Sequence, residues 1–434
     1  MKEIKNIFVE CKTFLILWLT QSFSALGSSM TSYALVIWSY ESEGKALVTA
    51  MLMVCSYAPY VILSIFAGAL SDKWNKKKTM LVCDAVAAAT TVVVLLLLKT
   101  RQLEIWHIYV INFINGLMNT VQSPASDVAI TRVLPAKYYQ KVGGLRYFSN
   151  SVTSILTPII ATAILGLLGM EFVIAFDLLT FMVACLSLLL FIRIPEEKVE
   201  KAKESVISAA KSGIRYLRKN RGIFDLILFL SAINLTASMY SAAFPAMVLS
   251  RNGGSQTTLG IVNTVIGVTT LVGSILASFS KEPKSRVRVI CNTLLFSMST
   301  ENFFLAFGRS APFWCIGAFC GWIVIPLMST NLEAILRIKV PVEMQGRVFS
   351  CRNTFQFFTI PIGYFLGGIL VDQVFEPIMA NQSNQSLLVQ VFGSGKGSGA
   401  AFLFFFLAIM GIVTCLYFRR DRHIWELEME NKTE

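Results

Sequence analysis

Charged residues are scarce in this sequence. Asp, Glu, Lys and Arg make up 15% of the 434 residues, whereas a typical soluble domain carries about 25%. Hydrophobic residues make up 55% and form long runs, such as 79–98 and 402–418. A helix needs about 20 such residues to cross the hydrocarbon of a bilayer, and sheets or irregular chain would leave backbone groups unpaired there. The composition therefore predicts an all-α integral membrane protein.

Histidine is also rare, and the cysteines show no paired spacing. Only His107 and His423 are present, which excludes a histidine-rich metal site. The nine cysteines are odd in number and lack the paired spacing of a disulfide framework or a zinc site. No nucleotide-binding loop or catalytic triad is visible. We therefore expect no enzyme activity, no metal and no cofactor.

Twelve apolar segments have the length of a membrane-spanning helix. We place them at about 13–38, 46–70, 79–98, 105–130, 144–165, 172–193, 223–249, 257–279, 289–307, 312–332, 348–373 and 400–418. The first segment is too long for the core of a cleavable signal peptide and has no small-residue cleavage site, so we interpret it as a span. Twelve crossings would place both termini on the same side.

Basic residues are concentrated in alternate connections. Of the 38 Lys and Arg, 32 fall on the side of the termini and six on the other side. The side rich in Lys and Arg is the cytoplasmic one. We therefore expect a multi-pass protein of the cell membrane with both termini in the cytoplasm. The basic residues behind the net charge of +12 then set the orientation in the membrane and contact lipid headgroups. No nucleic-acid partner is expected.

The spans divide into two similar halves. We predict six-helix bundles at 1–194 and 223–419, a cytoplasmic linker at 195–222 and a cytoplasmic tail at 420–434. Pro124 and Pro158 are 34 residues apart in the first half, and Pro326 and Pro361 are 35 apart in the equivalent spans of the second. Internal repeats of this kind are typical of secondary transporters.

The linker contains a short amphipathic pattern. Val206, Ala210, Ile214 and Leu217 recur at helical spacing. This spacing predicts a helix that either lies on the membrane surface or forms a solvated connection.

A motif occupies the connection between the second and third spans. It reads Gly68-Ala-Leu-Ser-Asp72-Lys-Trp-Asn-Lys76-Lys77-Lys78. Gly68 would let another helix approach closely, and Asp72 could cap a helix N-terminus or pair with an Arg. A simple turn with lysines that set the topology is the alternative. A second motif, Gly346-Arg347-Val-Phe-Ser350, begins the eleventh span.

The first motif resembles the signature loop of the major facilitator superfamily, Gly-x-Leu-x-Asp-x-x-x-Arg/Lys-Arg/Lys. The similarity extends along the chain and is greatest to the macrolide-efflux-like drug:proton antiporters, through Leu19-Thr-Gln21-Ser, Ser123-Pro-Ala, Ala175-Phe-Asp177 and the second motif. It implies two pseudo-symmetric six-helix bundles, a conformational role for the two motifs, and export. The chain departs from it at Asn115, where many of these antiporters have a buried Arg linked to proton coupling.

Polar residues recur on one face of three spans. The first span carries Gln21, Ser24 and Ser28, the fourth Asn112, Asn115, Asn119 and Gln122, and the seventh Asn234, Ser238 and Ser241. Steps of three and four residues keep each set on one helix face, which should meet protein or water rather than lipid. Hydrogen bonds between helices and the wall of a cavity are the two interpretations. The resemblance implies that these spans line a central substrate path.

Acidic residues inside spans are candidates for proton coupling. A charge near the bilayer centre costs about 2.5–3.5 kcal/mol, so such residues are rare without a role. Our candidates are Asp127, Asp177 and Glu301. Other acids, such as Asp84, Asp225, Glu333 and Asp372, lie closer to predicted helix ends and are expected to anchor or pair locally.

We predict a monomeric secondary transporter that exports an amphipathic, macrolide-like molecule in exchange for protons, with alternating access. Its partners would be this substrate, protons and membrane lipids. A facilitator that imports a small nutrient is one alternative. A membrane protein that binds a ligand or directs assembly without transport is another.

Overall fold

The computed structural model describes residues 12–133, 139–192, 194, 206–251 and 255–429. Within these ranges the chain is helical and forms no strand. The first six helices are α1 Lys12–Glu43, α2 Ala46–Lys73, α3 Lys76–Lys99, α4 Ile105–Val133, α5 Tyr139–Leu167 and α6 Met170–Leu190.

The second half contains more and shorter helices. They are α7 Val206–Lys219, α8 Arg221–Ser250, α9 Gln256–Phe279, α10 Arg286–Phe307, α11 Ala311–Ile323, α12 Ile325–Lys339, α13 Val342–Phe357, α14 Thr359–Ile369, a π-helical segment Leu370–Phe375, α15 Glu376–Ala380, α16 Leu387–Phe392, α17 Ser398–Arg419 and α18 Arg422–Met429.

The chain divides into two compact units. The first unit consists of the described residues within Met1–Trp38 and Cys55–Glu204, and the second of those within Ser39–Val54 and Ser205–Glu434. The connection between α1 and α2, with the adjoining helix ends, therefore packs with the C-terminal half. The domain boundaries expected from the sequence stay a prediction.

A glycine contact and a lysine contact join helices of the first unit. A Cβ on Gly116 of α4 would lie 2.1 Å from the backbone oxygen of Ser56 in α2, so only glycine permits this close packing. Lys77 Nζ donates to the backbone oxygens of Leu189 at 3.1 Å and Ile192 at 2.8 Å, at the end of α6. Those carbonyls have no partner within the helix, and the helix dipole favours a cation there.

Helix α8 forms the centre of the second unit. Phe229, Met247 and Val248 are fully buried, and α8 packs against α14 and α17. The predicted linker helix is present as α7 and packs on α8 and α13. Its Leu217 is fully buried, so protein covers part of its apolar face.

Prolines break two helices of the second unit. α11 and α12 are separated at Val324, and α13 and α14 at Phe358. Pro326 and Pro361 lack an N–H, and their rings clash with the carbonyls four residues earlier, so each break falls just before the proline. Each of these two pairs corresponds to one predicted span, 312–332 and 348–373. Pro124 and Pro158 of the first unit lie inside uninterrupted helices.

Helices occur at all twelve predicted span positions. In the described part of the chain, nine candidate spans are long and apolar enough to cross a membrane. The predicted spans 13–38, 105–130 and 289–307 correspond to α1, α4 and α10, with 32, 29 and 22 residues. At 1.5 Å per residue these are long enough to cross about 30 Å of hydrocarbon. Large apolar side chains such as Leu167 and Phe279 are 84% exposed, as expected on a lipid-facing surface. The predicted all-α membrane fold is confirmed.

Candidate functional site

A polar cavity of about 670 Å³ lies in the first unit. Side chains of α1, α3, α4 and α6 form most of its wall, with Ser56 from α2 and Ser149, Asn150 and Thr153 from α5. Apolar groups such as Leu35, Val94 and Phe181 complete the lining. The combination of polar and apolar groups suits an amphipathic ligand.

Seven of the ten predicted substrate-path residues line this cavity. They are Gln21, Ser24, Ser28, Asn112, Asn115, Asn119 and Gln122. The polar stripes on α1 and α4 thus face a common space, because residues three and four apart share one helix face. Their role in substrate passage stays a prediction.

Asp84 is held by two amides at the cavity wall. Gln122 Nε2 donates to Asp84 Oδ1 at 2.6 Å, and Gln21 Nε2 donates to Oδ2 at 3.2 Å. The side chain is buried, with 8% of the residue exposed.

This position of Asp84 in the cavity wall was not predicted from the sequence. The predicted span began at 79, but α3 begins at Lys76, so Asp84 lies about 12 Å along the helix at 1.5 Å per residue. Two features of the sequence could have indicated it. Asp84 is an acid within an apolar run, and Gln21 and Gln122 lie on two of the predicted polar faces. The pairing itself requires knowledge of which helices are neighbours.

Asp177 is a second buried carboxylate in the same cavity. Ser28 Oγ donates to Asp177 Oδ1 at 3.0 Å, and only 4% of the residue is exposed. The Thr31 hydroxyl also lines the cavity, is 6% exposed, and makes no hydrogen bond of standard geometry. The structure therefore brings the predicted proton-coupling candidate Asp177 together with the path candidate Ser28.

Asn115 lies in the cavity wall. The Thr90 hydroxyl donates to Asn115 Oδ1 at 2.9 Å. Nearby Asn112 Nδ2 donates to the Ile108 oxygen at 2.9 Å. Among the described residues that line the cavity, none is Lys, Arg or His. The charged side chains in the described lining, Asp84 and Asp177, are both acidic.

The three path candidates of the second unit bind helix backbone. Asn234 Nδ2 donates to the Gln356 oxygen of α13 at 3.0 Å. Ser238 and Ser241 donate to backbone oxygens four residues earlier, at 2.7 and 3.0 Å. Only the Asn234 contact joins two helices, because both serine contacts lie within α8. A substrate role for the three stays a prediction.

Glu301 is buried between helices of the second unit. Trp322 Nε1 donates to Glu301 Oε1 at 2.8 Å, and the Tyr240 hydroxyl lies beside the same carboxylate. Gly321 of α11 makes room, since a Cβ there would lie 2.4 Å from Glu301 Oε2. Proton coupling by Glu301 stays a prediction.

The described motif residues bind backbone and the linker helix. Buried Lys76 donates to the Trp74 oxygen at 2.9 Å, and Lys77 binds the end of α6. Arg347 Nη1 donates to Ser212 Oγ of α7 at 3.4 Å. Gly68 and Asp72 belong to α2, Asp127 to α4 and Gly346 to α13. The surroundings of these four residues lie outside the described part of the structure.

One group in the described ranges has the atoms of a metal site. Ligand atoms of Asp225, Asp421 and His423 lie within 4.8 Å of one another. Asp225 pairs with Arg221 at 3.4 Å and with His423 at 3.2 Å, and Asp421 caps α18 by accepting from the His423 backbone N–H at 2.9 Å. Protein groups thus engage these ligands, and we assign no metal.

Comparison with known proteins agrees with this architecture. A sequence model of the Major Facilitator Superfamily matches residues 17–300. The chain is 23% identical over 365 residues to macrolide efflux protein A of Streptococcus pyogenes, covering 83% of this chain and 90% of the relative. It is 24% identical over 325 residues to macrolide efflux protein A of Enterococcus faecalis, covering 74% and 99%.

Solved structures show the same fold. The nucleoside transporter NupG superimposes with a TM-score of 0.67 over 93% of this chain and 98% of that chain, at 13% identity. At that identity the likeness bears on the fold alone. Because the superfamily match covers well over half of the sequence, this chain belongs to the Major Facilitator Superfamily of membrane transporters.

Proposed function

We propose that this transporter exports amphipathic, macrolide-like small molecules across the cell membrane in exchange for protons. The observation that carries the proposal is the 670 Å³ cavity of the first unit, where amides, hydroxyls and two carboxylates adjoin apolar side chains. Sites for small organic ligands commonly enclose about 300–1,000 Å³ with a few convergent polar groups. The similarity to two macrolide efflux proteins over most of their length supports the same substrate class.

Buried carboxylates are the proposed proton carriers. Asp177 lines the cavity, where a proton could be exchanged with water or substrate. Ionisable groups inside membrane-embedded helices commonly mark proton relays. Asn115 replaces the Arg of similar antiporters, so coupling in this chain would rest on carboxylates. Asp127 and Glu301 are the other candidates.

Alternating access and topology complete the proposal. The superfamily uses a central site exposed to each side in turn, and the two motifs around Asp72 and Arg347 would stabilise one of the states. The 32 basic residues on one side support cytoplasmic termini. We propose a monomer surrounded by lipid.

Inside-out membrane vesicles test this function. With an acidic interior imposed, vesicles containing the protein should accumulate a radiolabelled macrolide, and a protonophore should abolish the accumulation. Asp177→Asn should abolish it, whereas Glu171→Gln, which changes an exposed acid on the same helix, should leave it unchanged. Equal accumulation with and without the pH gradient would contradict proton exchange. Binding without counterflow would favour a non-transporting protein, and uptake by intact cells would favour an importer.

A further inference from the structure

The charge of the cavity is one-sided. Asp84 and Asp177 line it, and none of the described lining residues is basic. An ionised carboxylate that is removed from water is costly unless it is paired or hydrogen-bonded. A cationic group that enters the cavity would supply a positive charge that the described lining does not.

The two carboxylates have different partners. Both oxygens of Asp84 accept hydrogen bonds from amide N–H groups. Hydrogen bonds donated by amide N–H groups favour the ionised form of a carboxylate. Asp177 is bound by the Ser28 hydroxyl, and a hydroxyl can either donate or accept. Asp177 can therefore keep this contact with or without a proton, whereas the two amide donors at Asp84 suit its ionised form.

A buried hydroxyl lies beside the Asp177 carboxylate in the same cavity. The buried Thr31 hydroxyl lines it and makes no hydrogen bond of standard geometry. Buried polar groups in proteins are nearly always satisfied. Asp177 is the polar group beside Thr31, so this hydroxyl by itself does not indicate a ligand.

We propose that Asp84 recognises the protonated amine of an amphipathic substrate, and that Gln21 and Gln122 position its carboxylate. The inference rests on the proposed export function and narrows its substrates to lipophilic amines. Asp177 remains available to carry the proton. Charge-assisted hydrogen bonds are about twice as strong as neutral ones, so a cationic substrate should bind better than a neutral one of the same shape.

The test compares matched ligands on the purified full-length protein. The probes are a macrolide with a tertiary amine, its neutral amide derivative, and the lipophilic cation tetraphenylphosphonium. We expect the wild type to bind the amine about tenfold more tightly than the amide, which corresponds to about 1.4 kcal/mol. Asp84→Asn should bind both equally, with the amide affinity retained as proof of folding. Gln122→Leu should narrow the ratio, and Glu171→Gln should leave it unchanged.

Each outcome separates the two proposals. If the wild type binds tetraphenylphosphonium through Asp84 but neither macrolide, cation recognition stands and macrolide export fails. If it binds both macrolides equally, or if Asp84→Asn keeps the preference for the amine, the role of Asp84 is overturned. If it binds none of the three probes, both proposals fail.

Discussion

The Asp372 carboxylate accepts hydrogen bonds from the first two backbone N–H groups of α2, those of Ala46 at 3.0 Å and Leu47 at 2.7 Å. N–H groups at a helix start have no partner within the helix, and the helix dipole favours a negative charge there. Asp372 lies 326 residues after Ala46 in the sequence. This single side chain thus joins the beginning of α2 to the π-helical segment of the second unit.

Removal of this cap should lower stability. Asp372→Ala leaves two N–H groups unpaired, and the loss of an N-cap side chain costs about 0.5–2 kcal/mol. We expect a lower thermal unfolding midpoint in detergent, with a smaller effect for Asp372→Asn. Glu171→Gln serves as the control for the loss of one negative charge. An unchanged midpoint for Asp372→Ala would show that the cap has no energetic weight.

Lys77 should stabilise the first unit through the end of α6. Lys77→Met keeps much of the aliphatic stem but loses the bonds to Leu189 and Ile192, and we expect a cost of about 1 kcal/mol. The neighbouring Lys78 is exposed, so Lys78→Met is a matched control with little expected effect. The measurement is the unfolding midpoint of both variants. Equal midpoints would argue against a specific role for Lys77.

Gly116 should be intolerant of any side chain. A Cβ would lie 2.1 Å from the Ser56 oxygen, and overpacking of this kind typically costs about 1–3 kcal/mol. Gly116→Ala should therefore lower both the unfolding midpoint and the transport rate. At Gly166 nothing lies within 4 Å of an added Cβ, so Gly166→Ala should be tolerated. Similar behaviour of the two variants would contradict the observed packing of α2 against α4.

Replacement of Asp177 should remove proton coupling without removing substrate exchange. Asp177→Asn should abolish accumulation driven by a pH gradient but retain macrolide counterflow, because exchange of substrate for substrate needs no proton. Asp127→Asn and Glu301→Gln, measured in parallel, test the other two candidates. Loss of coupling only in one of these variants would transfer the role from Asp177 to that residue.

The spans and polar faces were predictable because they depend on local pattern. The runs around α3 and α17 are apolar over a helix length, and the α4 amides recur every three or four residues. The partners of Asp84 were not predictable, because Gln21 and Gln122 reach it from two other helices. The same holds for Glu301 with Trp322, and for the docking of Ser39–Val54 on the second unit. These contacts depend on which helices are neighbours, and helical periodicity does not contain that information.

The most direct test of the account is the accessibility of its cavity to water and substrate. In a variant without the nine native cysteines, Asn119→Cys should react with a water-soluble maleimide, and a bound macrolide should slow the reaction. Leu96→Cys, on the exposed apolar surface of α3, should remain unreactive in lipid. Failure of Asn119→Cys to react under any gradient or ligand condition would contradict a substrate path through the first unit.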